Sequence, residues 1–370
     1  MTTYIYQQLD WPNFHWDLPF LTELLAEAHA SRGRLIGRME ALGFSAQQET
    51  LLSSLTLDAV KSSEIEGEHL DLTQVRSSVA RRLGIVLEDA IRSSRHVDGV
   101  VAMILDATQD YSKPLTAMRL WQWHLDLFSS DFRIINIAQW RDDKSGPMEV
   151  VSGPIGRERV HFRAPAAETL TDYMDLFFQY TNESNEEPLL KAAIAHLWFI
   201  TIHPFEDGNG RIARALTDCL LARSEKSSQR YYSMSAQICE ERTAYYDILE
   251  STQKGSMNIT PWLKWFLECL IRALKKTHII VDRILWKNTF WEQHKKDEIN
   301  SRQQLMLNKL FEGFEGKLTT PKWAKIAKCS HDTALRDIQR LINLDILEQD
   351  EGGGRSTSYS LKEKLLFNRI

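Results

Sequence analysis

The sequence predicts a mainly α protein, and three observations carry that reading. Apolar residues recur at helical spacing through most of the chain between residues 18 and 300. Strand-like runs are confined to residues 149–165 and 346–361, each around a glycine-containing turn. The densest cluster of polar chemistry, His203-Pro204-Phe205-Glu206-Asp207-Gly208-Asn209-Gly210-Arg211-Ile212-Ala213-Arg214, lies between two helical patterns over 189–201 and 211–222. It reads as helix, tight loop, helix, with Pro204 closing the first helix and Gly210 opening the second.

Taken in order, residues 4–17 are rich in aromatics and turn formers, an extended arm with Trp11, Phe14 and Trp16 as anchors. Two helical patterns follow over 18–60, separated near Gly43-Phe44-Ser45, with Ser45 as N-cap of the second. That second helix runs through Leu51, Leu52, Leu55 and Leu57 towards Ser62-Ser63-Glu64-Ile65-Glu66-Gly67. Further helices are expected over 71–83, 93–108 and 115–128. Residues 150–151 and 159–162 flank a Gly-Pro-Ile-Gly turn, which is a hairpin signal. After the polar cluster comes a helical pattern over 238–253 holding Arg242, Tyr245 and Tyr246. Pro261 fits the first turn of a long helix whose buried stripe is Trp262, Trp265, Phe266 and Leu270, continuing to about residue 300.

The C-terminal stretch reads as a separate small domain. Helices over 304–314, 320–328 and 332–343 precede strands over 346–349 and 357–361 around Gly352-Gly353-Gly354. Three helices and a hairpin wing make the winged-helix pattern, for which DNA is the usual partner. Here Lys317, Lys322, Lys325, Lys328, Arg336, Arg340 and Arg355 stand against Asp332, Asp337, Asp345, Glu348, Asp350 and Glu351. That near-balance leaves little to neutralise phosphates, so protein docking or homodimerisation is favoured over DNA. The domain reading is 1–92 N-terminal helical, 93–285 catalytic, 286–300 connecting helix and 301–370 winged helix.

The 370-residue length suits two or three domains. A net charge of −5 gives the whole chain no pull towards nucleic acid or an anionic membrane. Residues 1–17 lack the basic region and apolar core of a signal peptide. No apolar run approaches the ~20 residues of a membrane span. Cys219, Cys239, Cys269 and Cys329 are scattered without a CxxC, as expected of reduced thiols in a cytoplasm.

The polar cluster carries the chemistry. A loop that runs into a helix N-terminus favours an anion, because the first backbone N–H groups lack intrahelical partners. Gly208 and Gly210 let that backbone approach a phosphate closely. Arg211 and Arg214, three apart on the new helix, can lean over one polyphosphate. Asp207 offers a hard oxygen of the kind Mg²⁺ takes beside phosphate oxygens. His203, with an ordinary pKa of about 6.5, suits removal of a proton from a hydroxyl. Each residue alone is ordinary; their joint occurrence points to one chemistry.

The cluster resembles the signature of the Fic family, HxFx[DE]GNGRxxR, and every fixed position matches. The resemblance implies an all-helical core and transfer of AMP from ATP to a Ser, Thr or Tyr hydroxyl of a protein, including the enzyme itself. By the same resemblance His203 is the base and Asp207 holds Mg²⁺. Gly208, Asn209, Gly210 and Arg211 cradle the α- and β-phosphates, and Arg214 reaches the γ-phosphate. The hairpin resembles the family's flap, which aligns the target by strand addition, with Ile155 as a contact. Tyr245 and Tyr246 fall where related proteins place a Tyr-Tyr pair near the adenosine. Residues 4–17 resemble the domain that precedes the Fic domain in one bacterial subgroup.

Ser62 and Glu66-Gly67 fit the family's inhibitory motif, [ST]xxxE[GN]. Glu66 is then expected to pair with Arg214 and deny it to the γ-phosphate. Two other classes stay open: transfer of UMP, phosphocholine or phosphoryl, or removal of AMP, on the same fold; and a DNA-binding regulator with a nucleotide-sensing core. A kinase-like member is expected to lose Gly210, which is intact here, so the resemblance favours adenylylation.

Overall fold

Side chains cap several of the helices at their N-termini. The computed structural model describes residues 3–128, 136–144, 146–153, 157, 159–311, 314, 316–350 and 357–362. It divides into two units, Met1–His278 and Ile279–Ile370. In the first unit the N-terminal arm packs Trp11 and Phe14 edge-on against Trp198. Its backbone is tied at His15, which donates to Met257 O and accepts from Ile259 N–H, both at 3.0 Å.

Helix α1, Leu18–Glu40, is capped by Asp17, whose carboxylate accepts the Phe20 N–H at 3.1 Å. Helix α2, Phe44–Ile65, starts from Gly43 rather than Ser45. Ser45 falls inside the first turn, so its expected N-cap role is corrected. The preceding turn is closed instead by Gln47, whose amide donates to Met39 O and Leu42 O. Helix α3, Leu72–Leu83, is capped by Asp71 and ended by Gly84 in the left-handed region. Ser94 caps α4, Arg95–Gln109, and α5 spans Ala117–Phe128.

The expected hairpin forms from β1, Glu149–Ser152, and β2, Arg159–Arg163. The strands are antiparallel, with a bulge between Val150 and Val151. Next comes α6, Leu170–Glu183, which the sequence reading passed over. Its buried stripe, Leu170, Met174, Phe177 and Thr181, is carried by two aliphatic side chains, one aromatic and a hydroxyl. Helix α7, Pro188–Ile202, is apolar on nearly every face and buried from Leu189 to Ile202 except at Lys191, as befits a central helix. It packs along α8, Asn209–Glu225.

The single pattern expected over 238–253 resolves into α9, Met234–Glu240, and α10, Arg242–Gln253. The break is at Glu241, held by both Arg272 guanidinium contacts at 2.6 and 2.5 Å. Helix α11, Thr260–Gln293, begins with Pro261 in its first turn and ends earlier than expected from charge and spacing.

The second unit contains α12, Ser301–Phe311; β3, Leu318–Thr319; α13, Thr320–Ile326; α14, His331–Asn343; β4, Leu347–Gln349; and β5, Ser358–Leu361. Its sheet order is β3-β5-β4, all antiparallel. Strand β3 is two residues long, too short to leave an alternation in the sequence. Trp323, Ile338, Leu341 and Leu347 centre the core of this unit. The arrangement is the expected winged-helix pattern with one strand added. No described helix is long and apolar enough to cross a membrane.

Trp323 is wholly buried. Trp323→Ala should therefore destabilise the second unit by about 3–5 kcal/mol. Calorimetry should show one transition moving down while the transition of the first unit stays in place. Equal displacement of both would mean that the units unfold as one.

Candidate active site

The α7–α8 turn is built from the inside. At the end of α7, His203 takes the left-handed region, φ 54° and ψ 58°, and its N–H donates to Phe199 O at 2.9 Å. A non-glycine residue there costs roughly 1–2 kcal/mol, so the surroundings must hold it. Arg141 does so from an irregular segment. Its Nε donates to His203 O at 2.8 Å, its backbone N–H to Pro204 O at 2.9 Å, and its Nη2 to Pro165 O at 2.5 Å. Asp143 balances its charge at 2.6 Å.

Asn209 closes the loop. Its Oδ1 accepts the Phe205 N–H at 3.0 Å and its Nδ2 donates to Phe205 O at 2.8 Å. The Asn209 side chain is thus committed to the loop, which leaves its backbone N–H for an anion. Gly208 is required twice over: its φ is +81°, and a Cβ there would come within 2.7 Å of the Phe128 ring. At Gly210 a Cβ would run into the Glu66 carboxylate, which would have to move aside.

His203 faces a cavity of about 590 Å³ together with Glu66, Gly210, Ser152, His161 and Tyr246. Its Nδ1 lies 3.2 Å from Ile200 O, so in the neutral ring Nδ1–H donates and Nε2 keeps its lone pair. Burial pushes the imidazole down to about 4, which leaves it neutral at pH 7.

At the other end of the turn lie the cations. Arg214 is 2% exposed and reaches the end of α2: Nε donates to Ser62 Oγ at 2.9 Å, Nη2 to Ser62 O at 2.7 Å, and Nη2 meets Glu66 Oε1 at 2.7 Å. The expected Glu66–Arg214 pair is present, and Ser62 shares it. Arg211 stacks over Phe128 at 4.9 Å and pairs with Glu68 at 2.8 Å. Arg211 Nε and Arg214 Nη1 are buried without a hydrogen-bond partner. Two orphaned guanidinium donors beside a helix N-terminus suit an anion with several oxygens.

Asp207 is largely exposed, accepts the Gly208 N–H at 2.5 Å and lies 3.6 Å from Arg211. Among the described residues no group of three or more His, Cys, Asp or Glu side chains is placed to hold a metal ion. A lone carboxylate fits Mg²⁺ only in company with phosphate oxygens and water, as that ion prefers. Tyr245 and Tyr246 divide. Tyr245 is buried, with its hydroxyl 2.8 Å from His196 Nε2, whereas Tyr246 is exposed on the cavity, 3.5 Å from Glu66 Oε2. Ile155 lies outside the described residues.

Strand β2 borders the cavity opposite Glu66. In the register, Val150 faces Phe162 and Val151 faces Val160, so His161 is the extra residue of the bulge. Bulges re-aim side chains, and here His161 meets Glu250 of α10 at 2.6 Å and Ser152 Oγ at 2.6 Å. Arg141, Glu68 and His161 are not marked as site residues by the sequence. None sits in a spacing pattern, and each is recruited by a partner more than sixty residues away.

Residues 114–221 match the Fic/DOC family model, and residues 4–85 match a domain of unknown function (DUF4172). Among curated proteins the chain is 33% identical over 217 residues to "Protein adenylyltransferase Fic" of Aedes aegypti, covering 57% of this chain and 39% of the relative. It is 26% identical over 216 residues to the protein of that name from Drosophila mojavensis, covering 57% and 38%. The matches thus span about two fifths of the length of these relatives. Among solved structures, a Fic family protein from Desulfovibrio desulfuricans G20 aligns with TM-score 0.53 and 20% identity over 94% of this chain and 98% of that one. Fic-1 from C. elegans aligns with TM-score 0.50 and 18% identity, covering 71% and 74%. At these identities the structural likeness speaks for the fold.

The environment of His203 gives a pH prediction. In an NMR titration its ring should stay neutral from pH 7 downwards and protonate with a midpoint of about 4. The unfolded chain takes this proton first, near 6.5, so the stability linked to His203 is present above that pH and lost as pH falls towards 4. A midpoint near 6.5 would mean that water, not protein, surrounds the ring.

Proposed function

We propose that this chain, whose residues 114–221 match the Fic/DOC family model and whose residues 4–85 match DUF4172, is a protein adenylyltransferase. It would take ATP and transfer AMP to a hydroxyl side chain of a protein, itself included. The observation that carries this reading is the pair of orphaned donors on Arg211 and Arg214 in the first turns of α8, the helix that follows the turn holding a neutral His203. The target hydroxyl attacks the α-phosphorus and gives its proton to His203 Nε2. The bond from the α-phosphorus to the bridging oxygen breaks, and pyrophosphate leaves. The α8 backbone N–H groups and Arg211 take the charge that builds on the phosphates, and Arg214 takes the γ-phosphate. Mg²⁺ held by Asp207 would supply further charge neutralisation when bound. Catalysis is then positioning plus electrostatics, with His203 as base.

The same geometry supports a brake. Arg214 cannot serve Glu66 and a γ-phosphate fully at once, and the Glu66 carboxylate lies over Gly210 where phosphate would approach. Loss of a charge-assisted pair of roughly 1.5–3 kcal/mol makes about tenfold or greater activation reasonable for Glu66→Gly. Mass spectrometry of AMP on the chain should show that gain, and Arg214→Ala should erase it. Equal incorporation in wild type and Glu66→Gly would remove the brake from the account.

His203→Ala is the complementary test. It should abolish AMP transfer and leave ATP binding near that of wild type, since the phosphates rest on other groups. Full transfer by this variant would take His203 out of the mechanism.

A further inference from the structure

Helix α2 ends in a Schellman turn. The Gly67 N–H donates to Glu64 O and the Glu68 N–H to Ser63 O, each at 3.0 Å, with Gly67 at φ +83°. The turn reverses the chain so that the residues on either side of Gly67 both reach α8. Glu66 goes to Arg214 and Glu68 goes to Arg211. The Glu68 carboxylate is shared, with Oε2 on Arg211 Nη1 at 2.8 Å and Oε1 2.6 Å from His96 Nε2 on α4. The His96 contact is one of distance, without the in-plane alignment of a hydrogen bond to that nitrogen. His96 and Arg211 hold the Glu68 carboxyl below the usual carboxylate range, so it is ionised at neutral pH.

We infer that Glu68 is a second determinant of nucleotide affinity, withholding Arg211 from the diphosphate that ATP and ADP share as Glu66 withholds Arg214 from a γ-phosphate. This rests on the reading of α8 as a polyphosphate site. Arg211 has its Nη1 on Glu68 and its Nε unpartnered. A phosphate that takes up Nη1 must therefore displace a carboxylate, and the buried Nε has no partner to give up. Two carboxylates delivered by one turn also place negative charge at the helix N-terminus that a polyphosphate seeks. The two prongs bear on different parts of the nucleotide, and only the first discriminates. Glu66 bears on the third phosphate and Glu68 on the part that ATP and ADP share. Removal of Glu66 alone leaves the Glu68 prong in place.

The test is calorimetric titration of the full chain with Mg-ATP and with Mg-ADP. Glu68→Gln keeps the shape and removes the charge; it should tighten ATP and ADP alike, by about threefold to tenfold for a partly exposed charge pair. Glu66→Gly should tighten ATP more than ADP. His96→Ala separates release of Arg211 from simple loosening of the turn. It also removes the contact to Glu68 but leaves Arg211 paired, so ADP affinity should not rise. Should Glu68→Gln fail to fold, Glu68→Ala carries the same expectation. If the Glu68 variants bind both nucleotides as wild type does while Glu66→Gly tightens ATP, the inference fails and the polyphosphate reading stands. A rise in ADP affinity in His96→Ala equal to that in Glu68→Gln would also overturn it. If Arg211→Ala and Arg214→Ala bind as wild type does, the polyphosphate reading itself falls.

Discussion

The structure of the site depends on one buried cation. Arg214 sits almost wholly inside the protein, where an unpaired charge would be untenable. Its partners come from the end of α2: a hydroxyl and a carbonyl from Ser62 and a carboxylate from Glu66. The Ser62 carbonyl is among those that a helix end leaves without an intrahelical partner, and the cation stands where the helix dipole favours it. The C-terminus of α2 and the first turns of α8 are therefore joined by a contact that satisfies both. Breaking a buried pair by deleting one member costs about 3–5 kcal/mol.

Other contacts fix the frame around that joint. Asp58, two turns before Glu66, accepts from Ser233 Oγ at 2.6 Å and from the Ser235 N–H at 3.2 Å, tying α2 to the start of α9. Burial, with Asp218 nearby, lifts its carboxyl to about 7. On the far side of the cavity, Glu250 collects Lys254, His161 and Arg159, which draw its carboxyl down to about 2 against the effect of burial. Strand β2 is thereby strapped to α10. Arg141 holds the carbonyls of His203 and Pro204 in the α7–α8 turn.

Much of this was legible in the sequence, for a physical reason. His203, Asp207, Gly208, Gly210, Arg211 and Arg214 act through local spacing on one turn and one helix, so their order in the chain states their geometry. The Glu66–Arg214 pair was legible only through the resemblance, since nothing in the spacing of distant residues foretells a contact. Asn209 stands in the motif, yet its side chain serves the loop, a distinction that composition cannot make. Tyr245 and Tyr246 are adjacent, and a helix sends adjacent residues to different faces. Arg141, Glu68, His96 and the bulged His161 were not legible, because each owes its place to tertiary packing. The same holds for the break between α9 and α10, set by Arg272, and for the start of α2 at Gly43.

The central claim is that the α8 turn presents ATP so that its α-phosphorus, not its γ-phosphorus, meets the hydroxyl beside His203. It is tested most directly by incubating the Glu66→Gly protein with ATP labelled at the α position or at the γ position and following the label. The account predicts that α-label becomes covalently attached to protein and that γ-label is released with pyrophosphate. Attachment of γ-label, or of neither label, would contradict it.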